Sequence, residues 1–244
     1  MRLSPAIALL AVVLVSCAGG LSATSQPTEA SATVPSAPAS EPSPSEAPGP
    51  RDPEPIPHTP ATAIDEALRE ELLARMAEDQ AVRTGIAPPG DDRTADELFG
   101  QMGAVDRENT ARMEEILEER GWPGWSLVGE DGSTAAWALV QHADLNPELQ
   151  EQALAYLMGA VEADDASAGD LAYLIDRVRV ANGLTQVYGT QIGPGPDGDL
   201  APRTPVEDPV NVDARRAEAG LGTLEEYYDE IREAFGTPAP SASS

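Results

Sequence analysis

From residue 61 onward, apolar positions recur mostly at helical spacing. Ile64, Leu68, Leu72 and Met76 return every four residues among Glu and Arg, which predicts an amphipathic helix to about Val82. Thr94 and Glu97 have capping-box spacing, and Leu98, Met102, Val105, Met113 and Ile116 mark one face of a long second helix to about Arg120. The Gly121-Trp122-Pro123-Gly124-Trp125 run reads as a corner and Gly129 to Gly132 as another turn. Residues 135–140 (AAWALV) are apolar on every side, as a short buried helix requires. Asn146-Pro147 then caps a helix with Leu149, Ala153, Leu154, Leu157 and Val161 inward, and Asp170 opens another that stops at Asn182-Gly183. Residues 186–192 (QVYGTQI) have the β-branched and aromatic content of a strand that pairs with residues 203–206 in a small hairpin, which Pro202 and Pro205 keep short. A short helix follows Asp208-Pro209, and Thr223 with Glu226 caps a last one bearing Leu224, Tyr227 and Ile231. The expected fold is therefore mainly α, a compact multi-helix domain over residues 61–236 with one small β-hairpin. No fixed-period repeat is present, which argues against a solenoid.

The N-terminal quarter has a different pattern. A cation at Arg2, the apolar run Ile7 to Val15 and the small residues before Cys17 are ordered as in a secretory signal over residues 1–16. The run is too short to span a bilayer core, which takes roughly 20 helical residues. Leu14-Val15-Ser16-Cys17 resembles the bacterial lipobox, which makes Cys17 the expected lipidation site, carrying the diacylglycerol and palmitate-type chains of a lipoprotein. Its thiol is the sole one in the chain, so no disulfide competes for it. Two or three acyl chains would anchor the protein to the cell membrane on its extracytoplasmic side. Residues 17–60 contain little but Ala, Ser, Thr, Pro and Glu, and 11 of the 23 prolines lie between Pro27 and Pro60. Such a segment cannot offset its conformational entropy by burial and is expected to be a disordered tether, with His58 in it a solvated residue. Residues 237–244 are expected to be a second disordered end.

Charge excludes one class of partner. The 42 acidic residues face 15 cations, all arginine, giving a net charge of -27. A polyanion of this strength has no basic stripe with which to release counterions from nucleic acid. There is also no Gly-rich phosphate loop, no His-Glu-x-x-His and no nucleophile elbow, so neither a metal nor another cofactor is expected.

The remaining chemistry is scattered among helix ends. His142 closes the apolar helix with Asp144 two residues on, an arrangement for a general base oriented by a carboxylate, or for a histidine that only caps a helix C-terminus. Asn109 falls on the apolar stripe of the second helix beside Asp106, so its amide must find partners in the interior or a ligand. Asp79 and Arg83 have i,i+4 ion-pair spacing, read as a surface or interhelix contact. Taken together, Asp79-Gln80-x-x-Arg83, Asp106-x-x-Asn109, Gly121-Trp122-Pro123, Gln141-His142-Ala143-Asp144, Tyr188-Gly189-Thr190-Gln191 and Asp213-x-Arg215-Arg216 resemble the bacterial family known as domain of unknown function 6624. The resemblance implies no activity, but it implies that these polar residues converge. The resulting candidates are His142, Asp144 and Asp106 for catalysis, and Asn109, Gln141, Tyr188, Gln191 and Arg216 for binding, Arg216 as an anion contact. Two functions fit: a tethered module for a small molecule or a cell-envelope protein, or a hydrolase or lyase with His142 as general base.

Overall fold

A computed structural model describes residues 52–84, 94–195 and 199–235; the signal segment, Cys17 and the C-terminal tail lie outside the described residues. The fold is mainly helical, with seven α-helices and one two-stranded antiparallel hairpin among the described residues. The helices are α1 (Glu66–Thr84), α2 (Ala95–Arg120), α3 (Trp125–Gln141), α4 (Pro147–Glu162), α5 (Ala168–Ala181), α6 (Val212–Glu218) and α7 (Leu224–Phe235). None of them is long and apolar enough to cross a membrane.

The second half of α3 is the centre because residues 135–140 leave no polar face to expose. Ala135 through Val140 are all buried in it, and α1, α2, α4 and α5 pack around it. Trp122, Trp137, Leu72, Met113, Ile116, Leu149, Leu154 and Leu174 fill the space between them. The turn expected at Gly129 to Gly132 is instead a break within α3. Gly129 adopts φ 73°, a conformation open to glycine, and the helix resumes after it in a new direction. The capping signals act as their chemistry dictates: Thr94 and Glu97 form a reciprocal box, and Asn146 Oδ1 accepts the Leu149 amide at 3.1 Å.

Two expectations need correction. The hairpin pairs β1 (Ile192–Pro194) with β2 (Leu200–Pro202), opposing Ile192 to Pro202, so residues 186–191 are not its strand. The Asp176 carboxylate on α5 takes the amides of Val187 (2.6 Å) and Thr190 (2.8 Å), and also that of Tyr188, which wraps this segment into a loop. A side chain offering that many acceptors outcompetes a strand ladder.

The tether also ends earlier than residue 60. Residues 52–60 lie against the helices as an extended strap, with Ile56 N donating to Ala155 O at 2.9 Å and Arg179 holding Asp52 at 2.8 Å. Far from solvated, His58 is half-buried, its side chain 9% exposed, and it meets Asp165 at 2.8 Å through Nε2. Gly159 makes the approach possible, since a Cβ there would fall 1.8 Å from Ile56 O. The folded unit thus includes Asp52 and the residues after it.

Candidate functional site

The apolar stripe of α1 continues past Met76 into Asp79 and Arg83, three and seven residues on, so both charged side chains are carried into the interior. Asp79 is fully buried. Its carboxylate accepts from Arg83 Nε at 3.0 Å and from Gln80 Nε2 at 3.0 Å, and it meets His142 Nδ1 at 2.8 Å. Burial opposes its ionisation, but the bond and charge of His142 and the charge of Arg83 prevail and hold the acid below the ordinary aspartate range. An ionised carboxylate only accepts, so Nδ1 of His142 carries the proton it shares with Asp79. In the neutral ring Nε2 is then the basic nitrogen.

Helix α2 brings Asp106 to the same place. Arg83 spans the two carboxylates, its Nε on Asp79 and an Nη on Asp106. Burial, reinforced by the nearby charges of Asp79 and Asp144 and opposed by Arg83, raises the Asp106 pKa to about 6. Asp106 and His142 line one cleft of about 600 Å³ between α2 and the α3–α4 corner. Its other walls include Arg107, Thr110, Glu114, Asn146 and Glu148, and Leu145 stands 81% exposed at it. The chemistry of such a site is a fixed imidazole beside a carboxyl group that titrates near pH 6, in an otherwise acidic cleft.

His142 therefore takes its carboxylate from Asp79, 63 residues away, and not from Asp144. Asp144 instead accepts from Arg177 on α5. The same guanidinium donates through Nε to Gln141 Oε1 at 2.6 Å, so Gln141 points toward α5 while its neighbour His142 points toward α1. Asn109 is buried, as its position on the stripe predicts. Its Oδ1 accepts from Arg75 at 3.3 Å, and its Nδ2 has no hydrogen-bond partner among the described residues.

The other three binding candidates belong to a separate polar cluster. Tyr188 gives its amide to Asp176, and its carbonyl accepts from Arg216 at 2.9 Å. Arg216 is buried, donates also to Gly222 O at 2.6 Å and lies 5.0 Å above the Tyr227 ring. That environment holds two loops together, and those two nitrogens are already engaged. Gln191 is buried with its amide on Gln186 Oε1 (2.7 Å) and its Nε2 on Thr190. None of the three lines the His142 cleft.

Asp79, Arg83 and Arg177 were not among the site candidates, Asp79 and Arg83 having the spacing of an ion pair, which they form. For the first two a signal existed, because continuing the α1 stripe by three and seven residues lands on them. Among the described residues no group of three or more His, Cys, Asp and Glu is arranged to hold a metal ion. The sequence profile of a family described as "Family of unknown function (DUF6624)" matches residues 66–239. No curated protein and no solved structure matches the chain.

Proposed function

The chain belongs to the DUF6624 family, whose function is unknown, and we propose that this member is a lipoprotein of the cell envelope that binds a small polar ligand in the His142 cleft. The observation that carries the reading is His142 itself: one ring nitrogen is fixed by a buried carboxylate and the ring lines an open cavity. Asp106, Glu114 and Glu148 around it favour a ligand that brings hydrogen-bond donors, such as hydroxyl or amine groups. The anchor is the lipid on Cys17, supported by the order of Arg2, the apolar run and Leu14-Val15-Ser16. Replacing Cys17 with Ala is expected to release the protein from the membrane fraction.

A ligand specific to the native state raises its melting temperature. The test is a thermal-shift screen of the full chain against small hydroxylated and amine metabolites, repeated on His142→Asn and Asp106→Asn. A compound that stabilises the parent and neither variant supports the reading. Retention of the response in both variants places the ligand elsewhere and ends it.

One observation favours a second reading, a hydrolase or lyase. The Asp79–His142 contact fixes the tautomer in which Nε2 can take a proton, as a general base requires. Consumption of the stabilising compound by the parent, abolished in Asp79→Asn and His142→Asn, would convert the binding site into an active site.

A further inference from the structure

On the polar side of the His142 cleft, acceptors outnumber donors. Asp106, Glu114 and Glu148 present carboxylates, and the Nδ2 donor of Asn146 is spent on Glu114 Oε1 at 2.7 Å. Arg107 is the one cation among the described residues lining it, and Arg83, which bonds Asp106, is shared with buried Asp79. The imidazole adds an acceptor of another kind. His142 is 5% exposed, its Nδ1 is held by Asp79 and its ring lines the cavity, which leaves Nε2 without a partner among the described residues. An acceptor so nearly buried calls for a donor. The rest of the lining is largely hydrocarbon: Ala111, Ala143 and Pro147, with Leu145 81% exposed beside them. We propose that this cleft selects an organic ammonium ion, a primary amine whose N–H groups face the His142 ring and the carboxylates and whose short apolar chain covers Leu145.

This selectivity rests on the reading of the cleft as a binding site and picks one class among donor-bearing ligands. Charge decides against a neutral alcohol. A hydroxyl offers one donor and no charge, whereas an alkylammonium offers several donors and the cation that the carboxylates lack. Burial lifts the Asp106 pKa to about 6 in spite of Arg83, so its carboxylate gains by a second cation. The apolar lining decides against a bare metal ion, which would leave it uncovered, and among the described residues no group of three or more ligating side chains is arranged to hold one. A single exposed leucine is ordinary on a protein surface. Leu145 differs in extending the apolar lining of a cavity of about 600 Å³, which has room for a small branched amine.

The test uses three compounds of one carbon skeleton: isoamylamine, isoamyl alcohol and isovalerate. Each is titrated to millimolar concentration into the full chain in nonionic detergent at pH 8, where Asp106 is ionised and the amine still protonated, and the melting temperature is followed. Ammonium chloride at equal concentration measures what screening of the net charge of -27 contributes. The amine alone should give a saturable rise above that background. Leu145→Ser should weaken its binding about fivefold and Glu148→Gln about threefold; both positions are exposed, so neither change threatens folding. Val210→Ser, at an equally exposed apolar position outside the cleft, should bind as the parent does. A shift by the alcohol equal to that of the amine, with both lost in His142→Asn, overturns the ammonium class and leaves the cleft a binding site. Absence of any amine shift beyond that of ammonium chloride, or equal binding by Leu145→Ser, also overturns the proposal, and the wider metabolite screen then judges the binding reading independently.

Discussion

The two histidines of this chain stand in the same first contact and in opposite circumstances. His58 and His142 each meet a buried aspartate at 2.8 Å, Asp165 in one case and Asp79 in the other. Around His58 the polar groups are given to architecture: Asp165 also accepts the Ser126 amide at 2.7 Å and its hydroxyl at 2.6 Å, and the contact closes the strap over α4. Around His142 there is a cleft and a carboxyl group that titrates near pH 6. A histidine–aspartate pair is thus no functional signature by itself. What distinguishes the second pair is that its free side faces volume a ligand can fill.

The architectural half of the comparison should show the largest stability effects. Asp165→Ala strands the Ser126 amide and hydroxyl and the His58 ring together, and breaking a buried charged network costs about 3–5 kcal/mol. Denaturant unfolding of the full chain measures it. A loss below about 1 kcal/mol would mean that water replaces the carboxylate freely and that the His58 pair holds nothing.

Gly159→Ala attacks the same strap from below. The new Cβ would overlap Ile56 O, so residues 52–60 must lift, and the Ile56–Ala155 and His58–Asp165 bonds go with them. Two hydrogen bonds, one of them charge-assisted, set the expected loss at about 2–3 kcal/mol. Limited proteolysis should then cut near residue 60 in the variant and spare the parent. Equal resistance would show that α4 shifts to accept the methyl group, and the strap would cease to be part of the folded unit.

Substituting the histidines in parallel sharpens the contrast. His58→Asn should cost about 1–2 kcal/mol, a lost hydrogen bond to a charged group, and leave any ligand response intact. In His142→Asn the cost should be smaller, because Asp79 keeps Arg83 and Gln80, while the ligand response disappears. The reverse ranking of stabilities, with ligand response retained in both, would make His142 a second architectural histidine.

How much of this was legible in the sequence differs by length scale. Helix existence and caps followed from local chemistry: Thr94 with Glu97, Asn146 before Pro147 and the apolar run through Ala135 to Val140 need no distant partner. The misread features all depend on one. Residues 186–191 have strand-like composition, and what makes them a loop is Asp176, on the preceding helix. His58 sits in a proline-rich stretch whose composition says spacer, and only the space above Gly159 admits it to the fold. Asn109 was visible as a polar residue on an apolar stripe, with Asp106 one residue round from it. Asp79 was equally visible by the same rule, but its spacing to Arg83 also satisfies a surface ion pair, and the helix pattern alone does not say which helix stands opposite. His142 has a carboxylate two residues away in sequence, and the fold chose one 63 residues away.

A pH-dependent effect concerns Asp106, and it tests the electrostatics of the cleft. Burial raises its folded-state pKa to about 6, from 3.8. The folded protein therefore holds this proton more tightly than the unfolded chain does. The associated stability is fully present below about pH 4 and is lost as pH rises through about 6. Undiscounted, two pH units correspond to about 3 kcal/mol; solvent at the partly exposed carboxyl reduces this to about 1–2 kcal/mol. The side-chain amide introduced by Asp106→Asn cannot titrate, so in that variant this contribution to the slope vanishes. Buried Asp170, raised to about 7, slopes the curve in the same sense, but it is common to both proteins and cancels in their difference. The measurement is the difference in unfolding free energy between Asp106→Asn and parent at pH 4 and at pH 8. It should shift in favour of the variant by about 1–2 kcal/mol on going to pH 8. A difference that stays flat, or moves the other way, would mean that Arg83 holds Asp106 ionised throughout, and that the cleft wall beside His142 is a permanent ion pair with no proton to exchange.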